Sequence, residues 1–381
     1  MTLRVLHAPG IAGGNAAELA RAERAIGLDS HCVAFDPNPL GYEVDEVIDP
    51  QRGRLRFELA RWRWAWRAWR DFDVVHFNFG QTFMPQQGPH ARGVSWRERP
   101  LRAAYRAWAR SAELRDLAFL KSRGKAVFMT YQGDDARQGD FCREHFKVTF
   151  ADRVEPDYYA PGTDAAKRRR IARVDRYADG IFALNPDLLH VLPARAQFLP
   201  YANVDLKTLK PSPADNAVPV IVHAPSHGAV KGTDVVVAAM EEMRRRGLVF
   251  EFVLVTGRTR SEALDIYRRA DLCVDQLFAG WYGGLAVEMM ALGKPVATYL
   301  REGDLDFLPS EMRAALPVVQ VRPDNVADVL AEFLSRPRMA WLELGMLSRA
   351  FAETWHDPVG IARRLMANYV AAAGGSRQGG A

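Results

Sequence analysis

The sequence predicts an α/β protein of two Rossmann-like, doubly wound domains that face each other across a cleft. Three features carry that prediction. Short apolar runs alternate along the chain with amphipathic helical stretches, the pattern of parallel sheets covered by helices. The 381 residues, 48% of them hydrophobic, are enough for two packed cores of ordinary size. The alternation is interrupted at 201–217 (YANVDLKTLKPSPADNA), where Pro, Asp and Asn accumulate before the next apolar run. The expected division is 1–202 for the first domain and 203–373 for the second, whose last helix can pack back on the first. The tail 374–381 (GGSRQGGA) reads as disordered.

The first half opens with a strand in LRVLHAPG, a glycine-bearing turn, a helix over 15–27 and a second strand in HCVAFD. Strands in DVVHFNF, AVFMTYQG and GIFALN continue it. In the second half the order is a strand in VPVIVHAPS, a helix from Thr233 to Arg246, a strand in FEFVLVTG, a helix around 260–270 and a strand in DLCVDQLF. A helix beginning near Leu285 comes next, then strands in PVATYL and PVVQV and a helix from Asn325 to Leu334.

Composition narrows the function classes. With 51 Lys and Arg against 46 Asp and Glu, the net charge of +5 favours anionic partners without choosing among them. It is small for a nucleic-acid protein, and no recognised nucleic-acid motif accompanies it. Cys32, Cys142 and Cys273 lie far apart, which suggests neither a disulfide framework nor a zinc site. The start MTLRVLHAPG passes directly into a strand-like run, and no stretch of 18 apolar residues occurs, so a cytoplasmic, non-spanning protein is expected.

Ligands of such folds bind beyond the carboxyl ends of the strands, which directs attention to four turns. After the first strand, 10–15 (GIAGGN) opens a helix and could bring backbone N–H groups to an anion; a tight turn without ligand reads equally well. Asp36 closes the second strand where a ribose-binding acid could sit, but the glycine spacing is not that of a dinucleotide fingerprint. The second turn, 130–140 (TYQGDDARQGD), releases Gln132, Gly133, Asp134, Asp135 and Arg137 in succession. The layout points both carboxylates at the cleft beside an Arg, and a solvated loop is the alternative. The third, 225–234 (PSHGAVKGTD), sets Ser226 and His227 ahead of Lys231 and Gly232 at a helix N-terminus, two features that attract phosphate. The fourth, 279–296 (AGWYGGLAVEMMALGKPV), has Trp281, Tyr282, Gly283 and Gly284 before a single acid, Glu288, and a Gly-Lys-Pro stop.

KGT after the first strand of the second half, with Glu288 in VEMMALGKPV two strands later, resembles the retaining family 4 glycosyltransferases of the GT-B fold, over nearly the whole chain. The resemblance implies that Lys231 binds a donor diphosphate and that Glu288 accepts hydrogen bonds from nucleotide ribose hydroxyls. It also implies that Gly13 and Gly14 approach the donor phosphates from the other domain, that Ser226, His227, Gly232 and the 281–284 backbone line the donor site, and that Gln132, Asp134, Asp135 and Arg137 stand on the acceptor side. Lys231, Asp134 and Gln132 are the expected catalytic residues. Where that family has a second glutamate, this chain has Gly280; an arginine three residues before the lysine is replaced by Gly228, for which His227 or Arg258 could substitute; and Gln132 stands in place of a histidine. The activity so implied is transfer of a sugar from a nucleotide-diphosphate sugar to a saccharide or polyprenyl-linked acceptor, with no cofactor. A non-catalytic nucleotide-sugar binder or assembly subunit is the alternative. No Asp-x-Asp motif comes after a strand in the second half, so no divalent ion is expected; the adjacent Asp134 and Asp135 are the nearest competitors for Mg²⁺.

In 54–70 (RLRFELARWRWAWRAWR), Leu55, Leu59, Trp62, Trp66 and Trp69 recur at helical spacing among six arginines. A second basic stretch, 96–110, sets Leu101, Tyr105 and Trp108 on one face. Such helices can lie on an anionic membrane, or their apolar stripes can pack on the first sheet. The run 167–173 (KRRRIAR) reads as a charged helix face.

Overall fold

The computed structural model describes residues 2–10, 12–36, 41–48, 51, 53–86, 99–213 and 216–378. Two parallel sheets organise them. The first contains β1 (Arg4–Pro9), β2 (Asp29–Ala34), β3 (Glu46–Val47), β4 (Val74–Asn78), β5 (Ala126–Tyr131), β6 (Gly180–Ala183) and β7 (Gln197–Phe198) in the order β3-β2-β1-β4-β5-β6-β7. The second contains β8 (Val220–His223), β9 (Glu251–Leu254), β10 (Leu272–Val274), β11 (Val296–Thr298) and β12 (Val318–Gln320) in the order β12-β11-β10-β8-β9. The strand order reverses between β1 and β4 in one sheet and between β8 and β10 in the other. At each reversal the flanking connections leave toward opposite faces, and a crevice opens at the strands' carboxyl edge.

The central strands are buried on both faces, which is why VVHFN and AVFMTY show no alternation of apolar and exposed polar residues; their polar members His76, Asn78 and Thr130 are buried too. Their crossovers are helices whose ends are set by local chemistry. Thr259 and Glu262 form a reciprocal capping box at the start of helix Arg260–Arg269, holding that helix beside the second sheet.

The last helix, Pro358–Gln378, leaves the second domain and packs on the first, burying Ile361, Ala362, Leu365 and Tyr369 against Val5, Leu19, Val74 and Phe128. Beneath it lies a fully buried polar network. The Tyr369 hydroxyl donates to Glu23 (3.1 Å) and so accepts from Nδ1–H of His76 (2.6 Å), whose Nε2 then accepts from Thr130 (2.7 Å). Glu23 also meets His7 (2.9 Å) and Ser30 (2.6 Å). The helix runs through residue 378, into the segment read as a tail; residues 379–381 lie outside the described residues. The glycines at 374 and 375 disfavour helix, but with the docked turns already formed, extension needs only propagation and no new nucleus.

For helix Arg54–Asp71 the sequence leaves two alternatives, and packing on the sheet does not hold for most of the apolar stripe: Leu55, Leu59, Trp62 and Trp66 are 74, 62, 51 and 47% exposed. The buried face is formed by Phe57, Ala60, Trp64, Ala65 and Ala68, with Arg61 buried among them and donating through Nε to the Phe83 carbonyl (2.8 Å). Trp64 anchors it through its indole N–H on Glu46 (3.0 Å), and Trp69 is half-buried against the same core. Large apolar residues occupy both faces, so periodicity alone could not separate them.

The chain passes between domains at 201–205 and again at 356–358, and His356 joins the two passages. Its Nδ1–H donates to the Tyr201 carbonyl (2.9 Å), which leaves Nε2 to accept from the Tyr282 hydroxyl (2.8 Å). Burial drives the His356 pKa down to about 4. The folded protein therefore keeps this ring neutral while the unfolded chain protonates it below about 6.5, so its contribution is complete above that pH and is lost as pH falls toward 4. Asp116 and Asp135, both raised by burial to about 6, act in the opposite sense, so a difference measurement is needed. His356→Gln should be less stable than the parent at neutral pH. The gap in unfolding free energy should narrow by about 1.4 kcal/mol per pH unit below about 6.5, measured by denaturant titration at several pH values. A constant gap would mean that the imidazole is protonated in the folded protein.

Candidate functional site

In the second domain the site is built from the loops after β8 and β10, neighbours in the sheet. The chain leaves β8, passes the exposed Ser226 and makes one helical turn, Gly228–Lys231, capped by His227 accepting from the Val230 N–H (3.5 Å). Gly232 then takes φ 77°, where a Cβ would run into Phe278, and helix Thr233–Arg245 begins. The turn aims Lys231 across to the β10 loop, where Nζ lies 3.0 Å from Oδ1 of fully buried Asp275. The other Asp275 oxygen accepts the N–H of Gly283 (2.5 Å), the residue ahead of helix Gly284–Ala291. A Cβ on Gly283 would lie 2.8 Å from Lys231 Nζ, so ammonium group and helix start are in direct apposition. A cation beside a helix start attracts negative charge, and here the Asp275 carboxylate supplies it.

Glu288 stands one turn along the same helix and is buried. Its Oε1 accepts from the Tyr42 hydroxyl (3.0 Å) and from Arg260 (3.3 Å), and the Arg260 guanidinium lies 4.6 Å over the Tyr42 ring. Burial pushes the Glu288 carboxyl up, opposed by the pull of Arg260 and the hydrogen bond from Tyr42. Tyr42 belongs to the first domain, 246 residues earlier, and packs on Gly14: a Cβ there would overlap its ring. Gly13 and Gly14 take φ 62° and 73°, and a Cβ on Gly13 would meet nothing within 4 Å. The glycine turn and the carboxylate thus stand on either side of one tyrosine.

The expected contribution of Trp281 and Tyr282 is their backbone, and their side chains are taken up by the core. Both side chains are fully buried core, stacked at 4.1 Å between ring centroids, with Tyr282 held by His356. Only the backbone of this segment faces Lys231 and Asp275, and the Gly283 N–H is already bonded to Asp275. Gly284 sits against Asn203, which donates to its carbonyl (3.2 Å).

The 130–140 turn sorts its residues differently from expectation. The two acids do not face the cleft as a pair. Asp135 folds back, accepting from the N–H groups of Gln132 (3.1 Å) and Gly133 (2.6 Å), so it shapes the turn. Arg137 is buried in a two-pronged ion pair with Asp187 (2.6 and 3.1 Å), its strongest available neutralisation. Gln132 is buried, with its amide 3.4 Å from the Asn78 side chain. Asp134 is a third exposed and accepts from the Tyr158 and Tyr159 hydroxyls, the latter at 3.1 Å. Tyr158 lies 5.7 Å, ring to ring, from His227 of the second domain, which places Asp134 at the domain boundary. Among the described residues no group of three or more His, Cys, Asp or Glu side chains is placed to hold a metal ion.

Four residues were not anticipated: Tyr42, Arg260, Asp275 and Arg301. Asp275 carried a signal, as an acid directly after the buried strand Leu272–Val274. Arg258, offered from sequence as a phosphate ligand, is exposed, and Arg260 stands by Glu288 instead. Beside Gly280, at φ 81°, a Cβ would overlap the Arg301 guanidinium, so an arginine fills the space next to that glycine. Arg301 pairs with buried Asp304 (2.6 Å), donates to the Val148 carbonyl of the first domain (3.0 Å) and lies 3.6 Å over the Phe146 ring.

Neither a family model nor a curated protein sequence matches the chain. Solved structures do. The chain is similar to sucrose-phosphate synthase from Thermosynechococcus elongatus, with a TM-score of 0.58 and 17% identity over 97% of this chain and 98% of that one. It is similar to HepE from Anabaena, solved in complex with UDP-glucose, with a TM-score of 0.58 and 13% identity over 97% and 100% of the two chains. The catalytic domain of starch synthase IV from Arabidopsis thaliana, bound to ADP and acarbose, gives 0.58 and 11% identity over 98% and 100%. The architecture is therefore the GT-B fold, two Rossmann-like domains.

Tyr42→Phe isolates the interdomain contact. It removes one hydrogen bond to a buried carboxylate, at a cost of about 1.5–3 kcal/mol, so the melting temperature should fall. It also frees the Glu288 oxygen, so nucleoside diphosphate should raise the variant's melting temperature by more than the parent's. Equal ligand shifts in a thermal-shift titration would show that the phenol does not compete at this oxygen.

Proposed function

We propose that the chain is a glycosyltransferase that moves a sugar from a nucleotide-diphosphate sugar to a saccharide or polyprenyl-linked acceptor. The setting we favour is synthesis of cell-surface polysaccharide or glycolipid, at the inner face of an anionic membrane where the acceptor is lipid-linked. The observation that carries the reading is the helix Gly284–Ala291. Its start faces Lys231, and Glu288 stands four residues further on, about 6 Å along the axis at 1.5 Å per residue. That is the spacing a nucleoside diphosphate needs to lay its phosphates on a cation and a helix start while a carboxylate reads its ribose hydroxyls.

In this reading Lys231 and the Gly283 N–H stabilise the charge that develops on the departing diphosphate, displacing the Asp275 carboxylate as they do so. Gly13 and Gly14 close on the phosphates from the other domain. Asp134, with Gln132 behind it, positions the acceptor hydroxyl. The acceptor oxygen bonds to the sugar's anomeric carbon as the carbon–phosphate-oxygen bond breaks, and the acceptor proton passes to the leaving phosphate oxygen. Attack on the face being vacated gives retention. The chemistry asks for no divalent ion, since cation and helix dipole supply the stabilising charge.

The second reading, a binder that turns nothing over, is favoured by one observation: Asp275 already neutralises Lys231. Release of nucleoside diphosphate from candidate donors, with and without acceptor, distinguishes the two, and excess chelator should leave the rate unchanged. Calorimetric titration tests the residues. Glu288→Gln should weaken nucleoside and nucleoside diphosphate alike by roughly tenfold or more, through loss of charged hydrogen bonds worth about 1.5–3 kcal/mol. Lys231→Ala should weaken only the diphosphate. A Glu288→Gln protein that binds nucleotide like the parent removes the ribose assignment.

A further inference from the structure

The solvent face of helix Arg54–Asp71 serves neither the core nor the cleft. Leu55, Leu59, Trp62 and Trp66 stand there at spacings of four, three and four residues, one continuous apolar stripe. Helix Arg99–Ala112 lies alongside, joined by the Tyr105 hydroxyl on Glu58 (2.8 Å), and adds the exposed Tyr105 ring.

Charge says what covers this face. The first helix carries six arginines against Glu58 and Asp71, and the second carries four against no acid, so the pair holds a formal +8. The chain's total is +5, which leaves −3 on everything else. Arg56 and Arg63 flank the stripe with no acidic partner among the described residues, and Arg70 lies 4.0 Å over the Trp66 ring. Indole rings interleaved with arginines suit the headgroup level of a bilayer, with rings at the acyl boundary and guanidinium groups on phosphate. Leu55 and Leu59, the most exposed of the set, gain from acyl chains and nothing from a base or a sugar-phosphate backbone.

We propose that these two helices dock the protein on an anionic bilayer, with Trp62 and Trp66 at the headgroup boundary. The orientation suits the cleft. Arg61, in the first half of helix Arg54–Asp71, bonds to Phe83 in the loop leaving the carboxyl end of β4, so the stripe begins at the edge of the sheet where the glycine turn also lies. A bilayer on this face would lie beside the mouth of the cleft. The inference rests on the membrane half of the proposed function and not on the transfer chemistry.

The test is co-sedimentation of the full chain with phosphatidylcholine vesicles, plain or containing about one-third phosphatidylglycerol, at low and at roughly molar salt. The parent should be retained by the anionic vesicles at low salt and released by high salt. Trp62→Ala with Trp66→Ala should lower retention about tenfold or more at an unchanged melting temperature, because both rings lie at the surface. Arg56→Gln with Arg63→Gln should lower it at low salt. A parent that is not retained, a double-tryptophan variant retained like the parent, or capture by a single-stranded oligonucleotide without capture by vesicles would each overturn the proposal. Nucleoside diphosphate release with a soluble acceptor reads the transfer chemistry separately.

Discussion

A single neutral imidazole sets the geometry on which the cleft depends. The chain crosses between domains twice, and His356 touches the first crossing at Tyr201 and the loop after β10 at Tyr282 while itself beginning the second. With Nδ1 committed as donor and Nε2 as acceptor, the ring has one tautomer and one orientation. Beyond it the last helix is locked to the first sheet through Tyr369, whose hydroxyl is shared between Glu23 and His76. The second domain is thereby tied to the first by buried polar contacts as well as by apolar burial. Every member must be satisfied at once, because each unpaired group in such a site is costly.

The same economy governs the cleft, where four buried or half-buried cations each face a carboxylate. Lys231 faces Asp275, Arg260 faces Glu288, Arg301 faces Asp304 and Arg137 faces Asp187. Truncating one partner leaves the other charge buried and uncompensated, so these pairs hold the loops in place more than they add net stability. In the proposed reading two of them stand where the nucleotide is held, and the ligand exchanges partners with the protein's own groups. Of the two others, Arg137–Asp187 lies within the first domain, while Arg301, paired with Asp304, also reaches across to the Val148 carbonyl.

Much of this site was legible from strand ends. Lys231 and Glu288 follow strands of a doubly wound sheet, and the structure sets Lys231 against the start of helix Gly284–Ala291 and Glu288 one turn along it. The 130–140 turn was legible as a turn but not in its partners: Asp134 stays at the domain boundary, while Asp135 and Arg137 turn inward to backbone and to Asp187. Tyr42 left no trace in its neighbourhood, since its role exists only once a carboxylate 246 residues away is placed against it. Trp281 and Tyr282 show the opposite limit: the segment's glycines point to its backbone, while the destination of the two rings, the core, emerges only from burial.

By itself the sequence determined the two-sheet architecture, the order of strands and helices and the edge at which the loops converge, because apolar period, caps and glycine turns act over a few residues. Tertiary structure decided which face of helix Arg54–Asp71 is covered, where the last helix docks, and which acid each cation receives. Those choices depend on groups far apart in the chain, and their energies exist only when burial removes water from both partners together. The leucines and tryptophans of that helix are the clearest instance: their spacing marks a stripe, and only the sheet beneath could show that the stripe faces outward.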